Sequence, residues 1–188
     1  MNMNTLSVTF LAALLAGCAA GQPQPQKSAA PYTRAEKTQL TACIGLTDTA
    51  RAIAQRKLTQ EPIEIVKAYY ATQPNAGLTV PTVDKVYADT FTHWWDYTVS
   101  FFRECAENLA GVAGTRGDLA AYCMQNGMIA GIAQEFRAAG KPKPDAYSQF
   151  QGMGTTPREI VDRVYGKSAS RAEEQLAEWN NCMDPITG

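Results

Sequence analysis

The chain has a single histidine, His93, among its 188 residues. A Ser-His-acid catalyst would have that one residue to use as its base. Ser100 lies two helical turns further on, and no other residue nearby is marked as a nucleophile. A Gly-x-Ser-x-Gly elbow is missing. So is a phosphate-cradling loop, since Gly152-Met153-Gly154 is too short and follows no strand-like run. Strand signals are nearly absent, which points to an all-α class. There is no basic excess either. Seventeen Lys and Arg stand against eighteen Asp and Glu, a net charge of −1, so the chain offers no electrostatic footprint for nucleic acid. After residue 17 no apolar run reaches the roughly 20 residues that cross a bilayer.

What is present begins at the N-terminus. Leu6 to Ala16 is an apolar run of secretory-signal length, ending in small residues. Leu15-Ala16-Gly17-Cys18 then resembles the lipobox of bacterial lipoproteins. The segment before Leu6 departs from the usual signal in carrying no Lys or Arg. The resemblance implies that residues 1–17 are removed and that Cys18 becomes the acylated first residue. Ala19, where an Asp would favour inner-membrane retention, implies the outer membrane facing the periplasm. No cofactor beyond this covalent lipid is expected, and no metal. Residues 18–32 are rich in Gln, Pro and Ala with one charge, Lys27. Such a segment reads as an extended tether reaching roughly 40 Å.

Four cysteines remain, Cys43, Cys105, Cys123 and Cys182. An even number in an exported chain suggests two disulfides. The pairing follows from an internal repeat. Ile53-Ala54-Gln55 trails Cys43 by ten residues, and Ile132-Ala133-Gln134 trails Cys123 by nine. Val83-Asp84-Lys85-Val86-Tyr87 then has its counterpart in Val161-Asp162-Arg163-Val164-Tyr165. Phe102 and Trp179 each stand three residues before a closing Cys. Four landmarks in one order suggest two tandem helical units, residues 33–113 and 114–188, packed as a compact body. Equivalent folding of the two units would pair Cys43 with Cys105 and Cys123 with Cys182.

Helix signals fill both units. Thr33 to Glu36 and Ser170 to Glu173 have the form of capping boxes, as do Thr156 to Glu159. Leu40, Cys43, Ile44, Thr47, Ala50 and Ala54 share one helical face. A second helix is expected from Pro62 through Ile65, Val66 and Tyr69, with Asn75-Ala76-Gly77 as punctuation, and a third through the first Val-Asp-Lys-Val-Tyr. Another should run from Phe91 to Leu109. Asp118 is expected to cap a helix from Leu119 to Ala139, closed by Gly140. The valines and tyrosines of the repeated pentapeptide read as core. Met124 and Met128 read as core fillers rather than thioether metal ligands, and Gly127 with Gly131 as a close helix contact. Glu104 with Glu107, and Glu173 with Glu174 and Glu178, are placed on solvent faces.

The aromatic density of the fourth helix exceeds one buried stripe, so His93, Trp95, Tyr97 and Phe101 are the candidate partner-binding residues. Gly127 to Ala133, following Cys123, is similar to a stretch of the helical amidase-immunity proteins of type VI secretion. That likeness implies an inhibitor of an incoming periplasmic toxin or hydrolase. The leading expectation is a non-enzymatic, membrane-anchored module that binds another envelope protein. The alternatives are the immunity role and a small ligand held near His93.

Overall fold

The computed structural model describes residues 30–188, so Cys18, the lipobox and residues 18–29 of the expected tether lie outside the described residues; its expected end is corrected, because Tyr32 is buried in the body rather than extended in solvent. The fold is all-α. Eight helices run in order: α1 (Arg34–Leu58), α2 (Ile63–Ala71), α3 (Ala76–Ala88), α4 (Trp94–Ala110), α5 (Gly114–Ala138), α6 (Lys143–Ser148), α7 (Thr156–Tyr165) and α8 (Arg171–Met183). A short 3-10 turn, Asp184–Ile186, follows.

Two capping boxes form as the sequence indicates. Thr33 and Ser170 accept from the backbone N–H of Glu36 and Glu173, whose side chains accept from the caps in return. The third does not form. Helix α7 starts at Thr156 with Thr155 in the cap position and no side-chain bond there, leaving Pro157 inside the first turn, where its missing N–H costs nothing. Helix α5 starts five residues before the expected Leu119, with Ala113 as its cap, so Asp118 lies inside the helix. The chain turns from α4 into α5 through Gly111 in the left-handed region, and Gly117 then passes within 3.3 Å, measured from an ideal Cβ, of the Val112 carbonyl oxygen. These glycines look like a helix break in sequence, yet they make a tight turn possible.

Helix α1 packs chiefly on α4 and α5 chiefly on α8, with α3 and α7 laid on these pairs. One disulfide staples each pair, Cys43–Cys105 between α1 and α4 and Cys123–Cys182 between α5 and α8. Both were expected. The larger apolar core draws on both halves: Leu40 and Ile44 of α1 and Phe102 of α4 join Met124, Met128, Ile160 and Trp179. A smaller core, with Ile53, Val66, Val83, Val86, Tyr97 and Phe101, lies under α2 and α3. Val83, Val86, Val161 and Val164 are all fully buried, which bears out their core reading.

Helix α2 forms where expected, with Pro62 as its cap. Val66 is buried, but Ile65 and Tyr69 are about half exposed, because α2 turns Ile63, Val66 and Tyr70 toward the smaller core. Helix α3 begins at Ala76 and runs through Pro81, so Asn75 is its cap rather than a loop centre. Its C-terminal end is closed from outside. The Lys57 ammonium donates to the carbonyls of Val86, Tyr87 and Asp89, placing a cation on the negative end of the helix dipole.

At one pole the chain is clamped where it enters the body. Tyr32 is 1% exposed, and its N–H donates to the Ile186 carbonyl at 3.1 Å. The Gly188 N–H donates back to the Tyr32 carbonyl at 2.9 Å. The Tyr32 hydroxyl donates to the Arg116 carbonyl, while the Arg116 guanidinium lies over the ring and donates to the Pro31 carbonyl and Glu36.

Candidate functional site

His93 is the N-cap of α4. Its Nδ1 accepts the Trp95 backbone N–H at 3.3 Å, and the side chain is 62% exposed. The lone histidine therefore has a local structural task, satisfying a donor that the helix start leaves unpaired.

The aromatics after it are mostly structural. Trp95 is half-buried, donates its indole N–H to Gln125 of α5 at 3.1 Å and meets Phe150 edge-on. Tyr97 and Phe101 are 9% and 7% exposed, which removes them as surface anchors. Tyr97 stacks on Phe91 and donates to Asp89 Oδ2 at 2.9 Å. Burial, and then that hydrogen bond, push its phenol far above the ordinary range, so it stays a protonated donor. The two largest exposed aromatics are Tyr69 on α2 and Tyr122 on α5. Nothing in the local sequence marked them, because each lies on an apolar-spaced face that its helix turns outward.

Two acids placed on solvent faces are buried instead. Glu178 is 3% exposed and forms a two-pronged pair with Arg163, both bonds 2.8 Å. Glu174 is 1% exposed and makes no hydrogen bond, but lies between Arg137 at 3.6 Å and Lys167 at 3.7 Å. Arg137 is in turn fixed by the carbonyls of Val164, Lys167 and Ala169.

A further polar cluster joins α1, α5 and α8. Arg51 donates to Asp48, Gln55 and Glu135, each at 3.0 Å. Arg171 reaches the same Asp48 and Glu135 from α8. Two cations meet two anions, so the cluster is neutral. Burial acts to raise the Asp48 carboxyl, but the hydrogen bonds and charges of Arg171 and Arg51 outweigh it and hold the group below the ordinary range.

A concavity lies elsewhere. A cleft of about 630 Å³ opens between α1, α3 and α4. Its floor is small: Ala42, Gly45 and Thr49 on one face of α1. Leu46, Leu78, Phe101 and Leu109 form its walls, with the Cys43–Cys105 disulfide at its base through Cys105. Leu78 and Leu109 are 66% and 48% exposed at its mouth. The volume falls within the range of small-molecule sites. Of these the sequence singled out Phe101, as a partner-binding candidate; the others come from three helices and none is chemically distinctive alone. Among the described residues no group of His, Cys, Asp and Glu is placed to hold a metal ion, and no helix is long and apolar enough to cross a membrane.

Comparison with protein-family models, with curated proteins and with solved structures finds no match for this chain.

Proposed function

We propose that this protein is a lipid-anchored, non-enzymatic binding module of the bacterial envelope, held at the outer membrane and facing the periplasm. The observation that carries the reading is the cysteine pairing. Four of the five cysteines close two disulfides, and the fifth, Cys18, is the lipobox residue. Disulfides suit an oxidising compartment. A thioether-linked lipid at Cys18, with further acyl chains, would hold the body stably at a membrane. The partner would be another envelope protein. Residues 33–113 and 114–188 are read as two copies of one unit. In support, each half leads with a 25-residue helix stapled to its last helix, and each buries the valines of its pentapeptide.

The test has two parts. Metabolic labelling with an alkyne fatty acid should mark the wild-type chain and leave Cys18→Ser unmarked and released from the membrane fraction. Mild cross-linking in the envelope, followed by mass spectrometry, should then recover one envelope protein in stoichiometric amount. An unlabelled wild-type chain would refute the anchor. Recovery of a secreted hydrolase or toxin would replace the module reading by the immunity reading.

A further inference from the structure

We propose that the cleft between α1, α3 and α4 binds an uncharged, apolar small molecule seated on the bare face of Gly45. The shape is the first support. About 630 Å³ of open volume is walled by Leu46, Leu78, Phe101 and Leu109, and small-molecule sites of this size are mostly apolar with a few polar groups at the edge.

Gly45 is the second support, and it is independent of the first. It lies in the middle of the 25-residue helix α1, where glycine is about 1 kcal/mol less favourable than alanine. The other mid-helix glycines have a partner inside the chain. An ideal Cβ at Gly127 would lie 2.8 Å from the Gln175 carbonyl oxygen, and one at Gly131 would lie 3.3 Å from the Arg171 guanidinium. At Gly45 a Cβ would meet nothing within 4 Å. No contact within the protein requires the missing side chain. What the glycine preserves is the open floor of the cleft.

Charge selects the class of ligand. Among the described residues Lys85 and Glu104 are the ionised groups of the lining, and they pair with each other at 3.0 Å. Asp89 adds a second carboxylate to the same ammonium at 3.2 Å. An anionic headgroup would therefore meet no free cation and an excess of negative charge. Among the described residues Asn75 and Asn108 have no side-chain hydrogen-bond partner, and both line the cleft, suited to a neutral hydroxyl or carbonyl. The ligand is thus a neutral acyl or ring compound with one or two hydrogen-bonding groups. This site does not depend on the envelope partner proposed above.

The experiment uses the full chain and a photoreactive fatty alcohol bearing a diazirine, with the matching fatty carboxylate as comparison. Adducts are mapped by mass spectrometry. The expected result is labelling confined to residues 42–49 and 101–109, at least tenfold weaker for the carboxylate. Gly45→Leu fills the floor and improves the helix, so it should abolish the labelling by tenfold or more without lowering the melting temperature. Cys18→Ser should label like wild type, so a failure of anchoring and a failure of the cleft are read apart. Labelling spread over the surface, labelling unchanged in Gly45→Leu, or equal labelling by the carboxylate would each overturn the proposal. So would a polypeptide cross-linked across these same segments with no probe bound.

Discussion

Gly45, Gly127 and Gly131 lie in the middle of long helices, and the structure assigns each a different response to a single added methyl group. Gly127 is the tightest. Its new Cβ would lie 2.8 Å from the Gln175 carbonyl oxygen and 3.4 Å from Gln175 Cγ. The nearer atom is backbone, so α5 and α8 would have to separate, against the Cys123–Cys182 bond that ties them one turn away. Overpacking of this kind costs about 1–3 kcal/mol. The alanine recovers about 1 kcal/mol of helix propensity. Gly127→Ala is therefore expected to lose about 1 kcal/mol. Gly45→Ala meets nothing and should gain about 1 kcal/mol. Gly131→Ala should fall between, since the atom it presses on is the end of a flexible arginine. At roughly 2–4 °C per kcal/mol for a domain of this size, the outer two variants should melt about 4–8 °C apart. Thermal unfolding followed by far-ultraviolet circular dichroism measures this directly. A Gly127→Ala variant that melts at or above the wild-type temperature would refute the close approach of α5 to α8, and a Gly45→Ala variant that melts below it would refute the open face at Gly45.

Acid should weaken the body through Asp48. Its folded carboxyl titrates below the ordinary value, so the stabilisation is complete above about pH 4, the unfolded range, and is lost as pH falls through the folded value. Urea stability should be flat from neutral pH to about 5 and decline below, and Asp48→Asn should show a shallower decline; an equal slope in both proteins would assign the acid sensitivity to other groups. Each disulfide closes a loop of about 60 residues, so Cys43→Ser with Cys105→Ser should cost about 4 kcal/mol by loop-closure entropy. A loss under about 1 kcal/mol in denaturant titration would count against that account. Tyr97→Phe removes a hydrogen bond to the Asp89 carboxylate and should cost about 1.5–3 kcal/mol. An unchanged urea midpoint would mean that the phenol makes no such bond in solution.

Much of the fold was legible because its signals are local. Thr33 and Ser170 announce their helices within four residues, and the buried valines of α3 and α7 follow from helical spacing. The disulfide pairing was legible for a different reason, since equivalent positions in two similar stretches left one consistent choice. The misses share a cause. Helix α5 began early because Gly111, Gly114 and Gly117 serve a turn whose shape depends on Val112, not on propensity. Ile65 and Tyr69 marked helix α2 but not its buried face, since α2 has two apolar faces and only contact with α3 decides which one is buried. Glu174 and Glu178 read as solvated because their partners, Arg137, Lys167 and Arg163, come from other helices. The cleft was invisible for the same reason, since its walls meet only after three helices have packed.

The clamp around Tyr32 bears on how force reaches the body. Pulling on the chain ahead of Pro31 would divide the load three ways. Part enters α1 through the backbone. Part crosses to the C-terminal turn through the Tyr32 pairing with Ile186 and Gly188, and so to α8. Part passes through Arg116 to the start of α5. Helices from both halves thus take up tension together before either disulfide is strained. With the anchor proposed above, tension would enter the body at Pro31 and reach helices of both halves at once.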